Sequence, residues 1–193
     1  MGTLATEIDA LLQQDEKDRQ RLAELLVDLY YPYLHRLALS FLGDADEADD
    51  AVQDGLLRAL DQLDAYEPGT NLRGWLSTIV VNRSRDMLRR RKVRLHWRRL
   101  IRPLRGDARP AEDHAMHGAA RSALWNVVSQ LGEKHRLPIL LYYAHGFSVS
   151  DIAEMLDVRE GTVHSRLHNA RNRLAHLLKL SDDEALVMEI LDE

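Results

Sequence analysis

The chain has 193 residues, a formal net charge of −5 and no cysteine, which fits one or two small domains and excludes disulfides and cysteine-ligated zinc. No apolar stretch approaches the roughly 20 residues of a membrane span, and the polar N-terminus lacks a signal-peptide core, so a soluble cytoplasmic protein without a membrane span is expected. The charge is segregated: residues 1–67 hold 5 Lys and Arg against 16 Asp and Glu, residues 83–105 hold 11 basic groups against Asp86 alone, and the last fourteen residues hold six acids and no base. Such asymmetry predicts separate surfaces for an electropositive and a polyanionic partner.

Helical periodicity runs through the chain without competing strand alternation, so an all-α protein is expected. Leu22, Leu25, Leu26, Leu29, Tyr33, Leu37 and Phe41 mark a first long helix, ended by Gly43. Asp44, with Glu47 three residues on, can cap a second helix whose stripe is Ala48, Val52, Leu56, Ala59 and Leu63. Pro68-Gly69 breaks the chain, and Asn71 can cap a third helix carrying Leu72, Trp75, Leu76 and Ile79 that continues into a run of arginines. These three helices are expected to pack as an N-terminal domain over 1–93.

From 94 to about 118 Pro103, Gly106 and Pro110 interrupt the pattern and charge dominates, which predicts a flexible basic linker. A surface-lying amphipathic helix using Leu95, Trp97, Leu100 and Ile101 is the alternative reading of its first part. A second domain is expected over 119–180, with Leu124, Val127, Val128 and Leu131 on one helix, an apolar segment from Leu137 to Ala144, and an acidic tail over 181–193. That domain closes on the most informative run. Ser148 and Asp151 form a capping-box pattern before a short helix, about Val149 to Leu156, with Ile152, Ala153 and Leu156 on one face. After a tight turn at Asp157, Val163, Leu167, Ala170 and Leu174 recur at helical spacing. Two amphipathic helices sharing a small core, the second with an outward face of His, Asn and Arg, read as a helix-turn-helix in which the first turn of the second helix enters the major groove.

Leu42-Gly43-Asp44 with Asp50-Ala51-Val52-Gln53-Asp54, Gly74-Trp75-Leu76 with Val81-Asn82, and Gly161 to Arg173 resemble, in that order and spacing, the bacterial sigma factors of the extracytoplasmic-function type, two small helical domains joined by a linker. The resemblance covers roughly Leu29 to Val93 and Leu124 to Leu178. It implies a non-catalytic subunit that binds RNA polymerase core, recognises promoter DNA and helps to open the duplex, commonly held inactive by an anti-sigma factor. The implied core-binding positions are Asp50, Gln53, Asp54 and Leu57. The implied minus-ten positions are Tyr66 as a stacking surface, Asn71, Trp75 and Asn82 near a base pocket, and Arg83, Arg85, Arg89 and Arg90 on phosphates. The implied minus-thirty-five positions are Thr162, then His164, Ser165, His168 and Asn169 toward the groove, and Arg166, Arg171 and Arg173 on phosphates or internal partners, with no orientation implied for Thr162. Asn71 can equally serve as a helix cap, and Trp75 as core.

A helix-turn-helix regulator acting without polymerase would need a ligand or phosphoacceptor domain, which the N-terminal half does not supply. The acidic run Asp44 to Asp50 lacks the glycine and oxygen spacing of a calcium loop, His164 and His168 lack a third ligand, and no phosphate loop or nucleophile motif appears, so neither a cofactor nor catalysis is expected.

Overall fold

The computed structural model describes residues 16–67, 69–101 and 126–179. The chain divides into two compact units, 1–112 and 113–193, and the described residues of both are helical and turn.

In the first unit, helix α1 spans Glu16–Leu42, α2 Ala45–Asp61 and α3 Leu72–Ile101. Gly43, at φ 69°, terminates α1 and its N–H donates to the Leu39 carbonyl at 2.9 Å, a left-handed cap that glycine adopts without the Cβ penalty. Asp44 follows as the N-cap of α2, its carboxylate accepting from the Glu47 N–H at 2.9 Å. The core is built from Leu22, Leu26, Leu34, Leu37 and Phe41 of α1, Leu76, Val80 and Val81 of α3, and a face of small residues on α2, Ala48, Ala51 and Ala59 among them. That face brings the α3 side chains close: a Cβ on Gly55 would stand 2.7 Å from Val80 Cγ2. Leu29, which helical periodicity assigns to the α1 stripe, is instead exposed. At 100° per residue it lies at the edge of the face centred on Leu26, Leu37 and Phe41.

Helix α3 does not stop near Val93. Its backbone continues to Ile101, because Arg94 to Ile101 holds only residues that tolerate helix and the first breaker is Pro103, which disfavours helix at the residue before it. The opening residues of the expected linker are therefore helical. The remainder of that linker and the acidic tail lie outside the described residues.

In the second unit, helical backbone at 126–129 carries Val127 and Val128 into the core with Leu131. Helix α4 (Glu133–Ile139) runs into a π-helical turn, Leu140–Ala144, that ends at Gly146 with φ 70°. Helices α5 (Val149–Leu156) and α6 (Glu160–Lys179) complete the unit. Leu137, Leu141, Ile152, Met155, Val163, Leu167, Ala170, Leu174 and Leu178 form its core.

Candidate nucleic-acid interface

The helix-turn-helix forms where the sequence places it. Ser148 Oγ accepts from the Asp151 N–H at 3.1 Å and Asp151 Oδ2 accepts from the Ser148 N–H at 3.0 Å, so two orphan donors of α5 are satisfied reciprocally. The helix ends at Asp157, in the left-handed region at φ 52°, and the Val158 N–H closes back on the Ala153 carbonyl at 3.0 Å. That is a Schellman-type closure, at a residue whose short polar side chain tolerates this conformation better than most. Arg159 precedes α6 and its carbonyl accepts from the Thr162 and Val163 N–H groups at 2.8 and 3.2 Å.

Along α6, Val163, Leu167, Ala170 and Leu174 are buried while His164, Ser165, His168, Asn169 and Arg173 are exposed. Thr162, Arg166 and Arg171 flank this stripe, half-buried. The Ser165 hydroxyl donates to the Thr162 carbonyl at 3.0 Å, which leaves its lone pairs outward. His168 Nε2 lies 3.1 Å from Asn172 Nδ2. The face thus offers imidazoles, an amide and a hydroxyl flanked by guanidinium groups, a donor and acceptor set suited to base edges and phosphates.

His135 went unread in the sequence. It is only 5% exposed, and its Nδ1 lies 3.3 Å from the carbonyl oxygen of Arg166, so α4 holds α6 from its inner side. Burial pushes its pKa below the usual 6.5; the bond to the carbonyl opposes that shift, and the positive charges of Arg173, Lys134 and Arg166 add to it. The available signal was position: His135 falls four residues after Leu131 and four before Ile139, on the apolar stripe.

In the first unit the residues read as one minus-ten set separate into different environments. Tyr66 is only 6% exposed; its hydroxyl donates to the Thr70 carbonyl at 2.9 Å and its ring packs 5.2 Å from that of half-buried Trp75. The ring expected as an open stacking surface is thus part of the packing that shapes the loop before α3. Asn71 is the cap of α3, Oδ1 accepting from the Gly74 N–H at 3.0 Å. Asn82 is exposed and accepts from Arg85 at 3.2 Å, Arg89 pairs with Asp86 at 2.8 Å, and Arg90 is exposed. Arg83 points the other way, into an ion pair with Asp54 of α2 at 2.5 Å. Its neutralised, mostly covered guanidinium does not match the phosphate contact expected of it. On α2, Asp50 and Gln53 are exposed and Leu57 is 61% exposed, an apolar side chain set among acids on one open face.

Comparison with known proteins decides the family. Residues 26–94 match Sigma-70 region 2 and residues 121–174 match Sigma-70 region 4. The chain is 37% identical over 158 residues to the ECF RNA polymerase sigma factor EcfG of Rhodopseudomonas palustris, covering 79% of this chain and 83% of that protein. This chain is an RNA polymerase sigma factor of the ECF type. The sigma factor is also 35% identical over 149 residues to SigM of Mycobacterium tuberculosis, covering 77% and 73% of the two chains. Among solved structures it is similar to the sigma factor RpoE of Bartonella quintana in complex with the anti-sigma factor NepR, with 31% identity, a TM-score of 0.63, and 81% and 96% of the chains covered. It is likewise similar to CnrH in complex with the cytosolic domain of CnrY, with 25% identity, a TM-score of 0.62, and 92% and 96% covered. As a sigma factor the chain serves RNA polymerase and promoter DNA as a regulatory subunit, and none of its described helices is long and apolar enough to cross a membrane.

Proposed function

We propose that the two units of this sigma factor divide promoter recognition and polymerase docking between three faces. Residues 119–180, around α6, read the upstream element as duplex, with His164, Ser165, His168 and Asn169 toward base edges and Arg166, Arg171 and Arg173 toward phosphates. Residues 1–93 bind polymerase through Asp50, Gln53, Asp54 and Leu57 of α2 and the melted minus-ten strand through the outward side of α3, Asn82, Arg85, Arg89 and Arg90, with the Asn71 amide and the Trp75 edge at its start. The chain works in the cytoplasm, as a subunit without catalytic groups of its own, and is restrained by an anti-sigma protein, as the relatives solved with such partners suggest.

The observation that carries this reading is the two-sidedness of α6: one stripe is fully buried in the unit's core and the opposite one is polar, cationic and open. Purified chain added to bacterial core polymerase, followed by sequencing of the transcripts, tests it. Promoter-specific initiation that depends on the added chain is expected. Sequence-specific DNA binding with no effect on core polymerase would instead favour a stand-alone regulator.

A further inference from the structure

The basic run of α3 is not one surface. Arg85 and Arg89 lie on its outward side, pairing with neighbours on α3, and Arg90, two turns on from Arg83 along the same stripe, is open to solvent, whereas Arg83 and Arg91 turn toward α2 and its junction with α1. Arg83 meets Asp54 at 2.5 Å, and Arg91 lies 3.5 Å from Glu47 Oε2 and donates to the Leu42 carbonyl at the end of α1 at 3.4 Å. Asp54 and Glu47 are seven residues apart on α2, and Arg83 and Arg91 are eight apart in the opposite sense on α3. Both steps are about two helical turns, roughly 10–12 Å, so two charge rungs tie the helices in antiparallel register.

The upper rung joins groups for which the sequence resemblance implies different partners, polymerase for Asp54 and DNA phosphate for Arg83. The Arg83 side chain is 14% exposed and its Nε is buried without a hydrogen-bond acceptor, while Asp54 keeps 44% of its side chain open. A guanidinium so placed would have to leave its carboxylate partner and its covered position against α2 to reach a phosphate. The open partner is the carboxylate, and it shares α2 with exposed Asp50, Gln53 and Leu57.

We infer that Arg83 is a positioning residue of the polymerase-docking helix and not a DNA contact: by gripping Oδ2 of Asp54 across the α2–α3 interface it fixes the carboxylate that polymerase reads, with Arg91 on Glu47 as the second rung. The inference rests on the docking role proposed for α2. A carboxylate already held in one geometry loses less side-chain freedom on binding.

The test uses fluorescently labelled full-length chain with Arg83→Gln, Arg83→Lys, Asp54→Asn, or Asp54→Asn together with Arg83→Gln. Each is titrated with bacterial core polymerase, and each saturated complex is then titrated with a single-stranded non-template oligonucleotide covering the minus-ten element of a promoter that the wild-type complex transcribes. Arg83→Gln is expected to weaken core binding roughly fivefold or more, and the double variant no further than the weaker single variant, because the two residues act as one unit. Oligonucleotide affinity of the saturated complex stays within twofold of wild type. Unchanged core affinity overturns the assignment. So does a loss of oligonucleotide affinity with a salt slope lower by about one, the signature of a lost phosphate contact. Should Arg83→Gln fail to fold, Arg83→Lys, which keeps the charge but not the planar fork, applies the same criterion: a twofold or larger loss of core affinity sustains the inference and wild-type affinity overturns it. A wild-type chain that does not bind core would fail the sigma reading itself.

Discussion

The imidazole of His135 reaches from the first turn of α4 to the backbone of α6, its Nδ1 3.3 Å from the carbonyl oxygen of Arg166. Burial and three nearby cations hold its pKa below the usual 6.5. In the unfolded chain the group takes up a proton as pH falls through about 6.5, while the folded unit resists it, so protonation favours unfolding. Above that pH the residue is neutral in both states and contributes no slope. The urea midpoint of the C-terminal unit, followed by the amide resonances of α6, should fall between pH 7.5 and 5.5 more steeply in wild type than in His135→Asn, whose amide can still donate to the carbonyl. Parallel profiles would remove His135 as the cause.

Ser148 is exposed, yet its side chain and that of Asp151 hold the first turn of α5. Ser148→Ala should lower the stability of the C-terminal unit by about 1 kcal/mol, read from urea denaturation at neutral pH. An unchanged midpoint would mean that solvent satisfies the freed N–H equally well.

Gly55 is required by the approach of Val80 across the α2–α3 interface. Gly55→Ala places a methyl against a branched side chain confined to few rotamers and should cost the N-terminal unit about 1–3 kcal/mol. Adding Val80→Ala should recover part of the clash energy in the same denaturation measurement; a double variant no better than the sum of the singles would contradict this.

Tyr66 tests whether the loop before α3 stacks on DNA through that ring. A stacked base is worth about 1–3 kcal/mol, so Tyr66→Leu would weaken single-strand binding at least severalfold if the ring stacked on a base. With the ring packed against Trp75 and its hydroxyl held by Thr70, the expected result is an oligonucleotide affinity of the polymerase complex within about twofold of wild type and a lower melting temperature.

Local chemistry made much of this protein readable in one dimension. Gly43, Asp44, Ser148 and Asp151 mark helix ends through backbone geometry and short-range hydrogen bonds, and the stripe Val163, Leu167, Ala170 and Leu174 follows from helical period alone, so the helix-turn-helix and the all-α class were determined by the sequence. Tertiary structure decided which members of a charged or aromatic run face outward. Arg83 and Arg90 are indistinguishable in a basic run; whether an arginine meets a carboxylate or solvent depends on where α2 lies against α3, a contact between residues 29 positions apart for Asp54 and Arg83. His135 was likewise settled by a contact at a distance, with the Arg166 backbone, and Tyr66 by packing with Thr70 and Trp75 that periodicity does not carry. Periodicity gives the direction of a helical face only to within its edge, and the partner element determines whether that edge is covered.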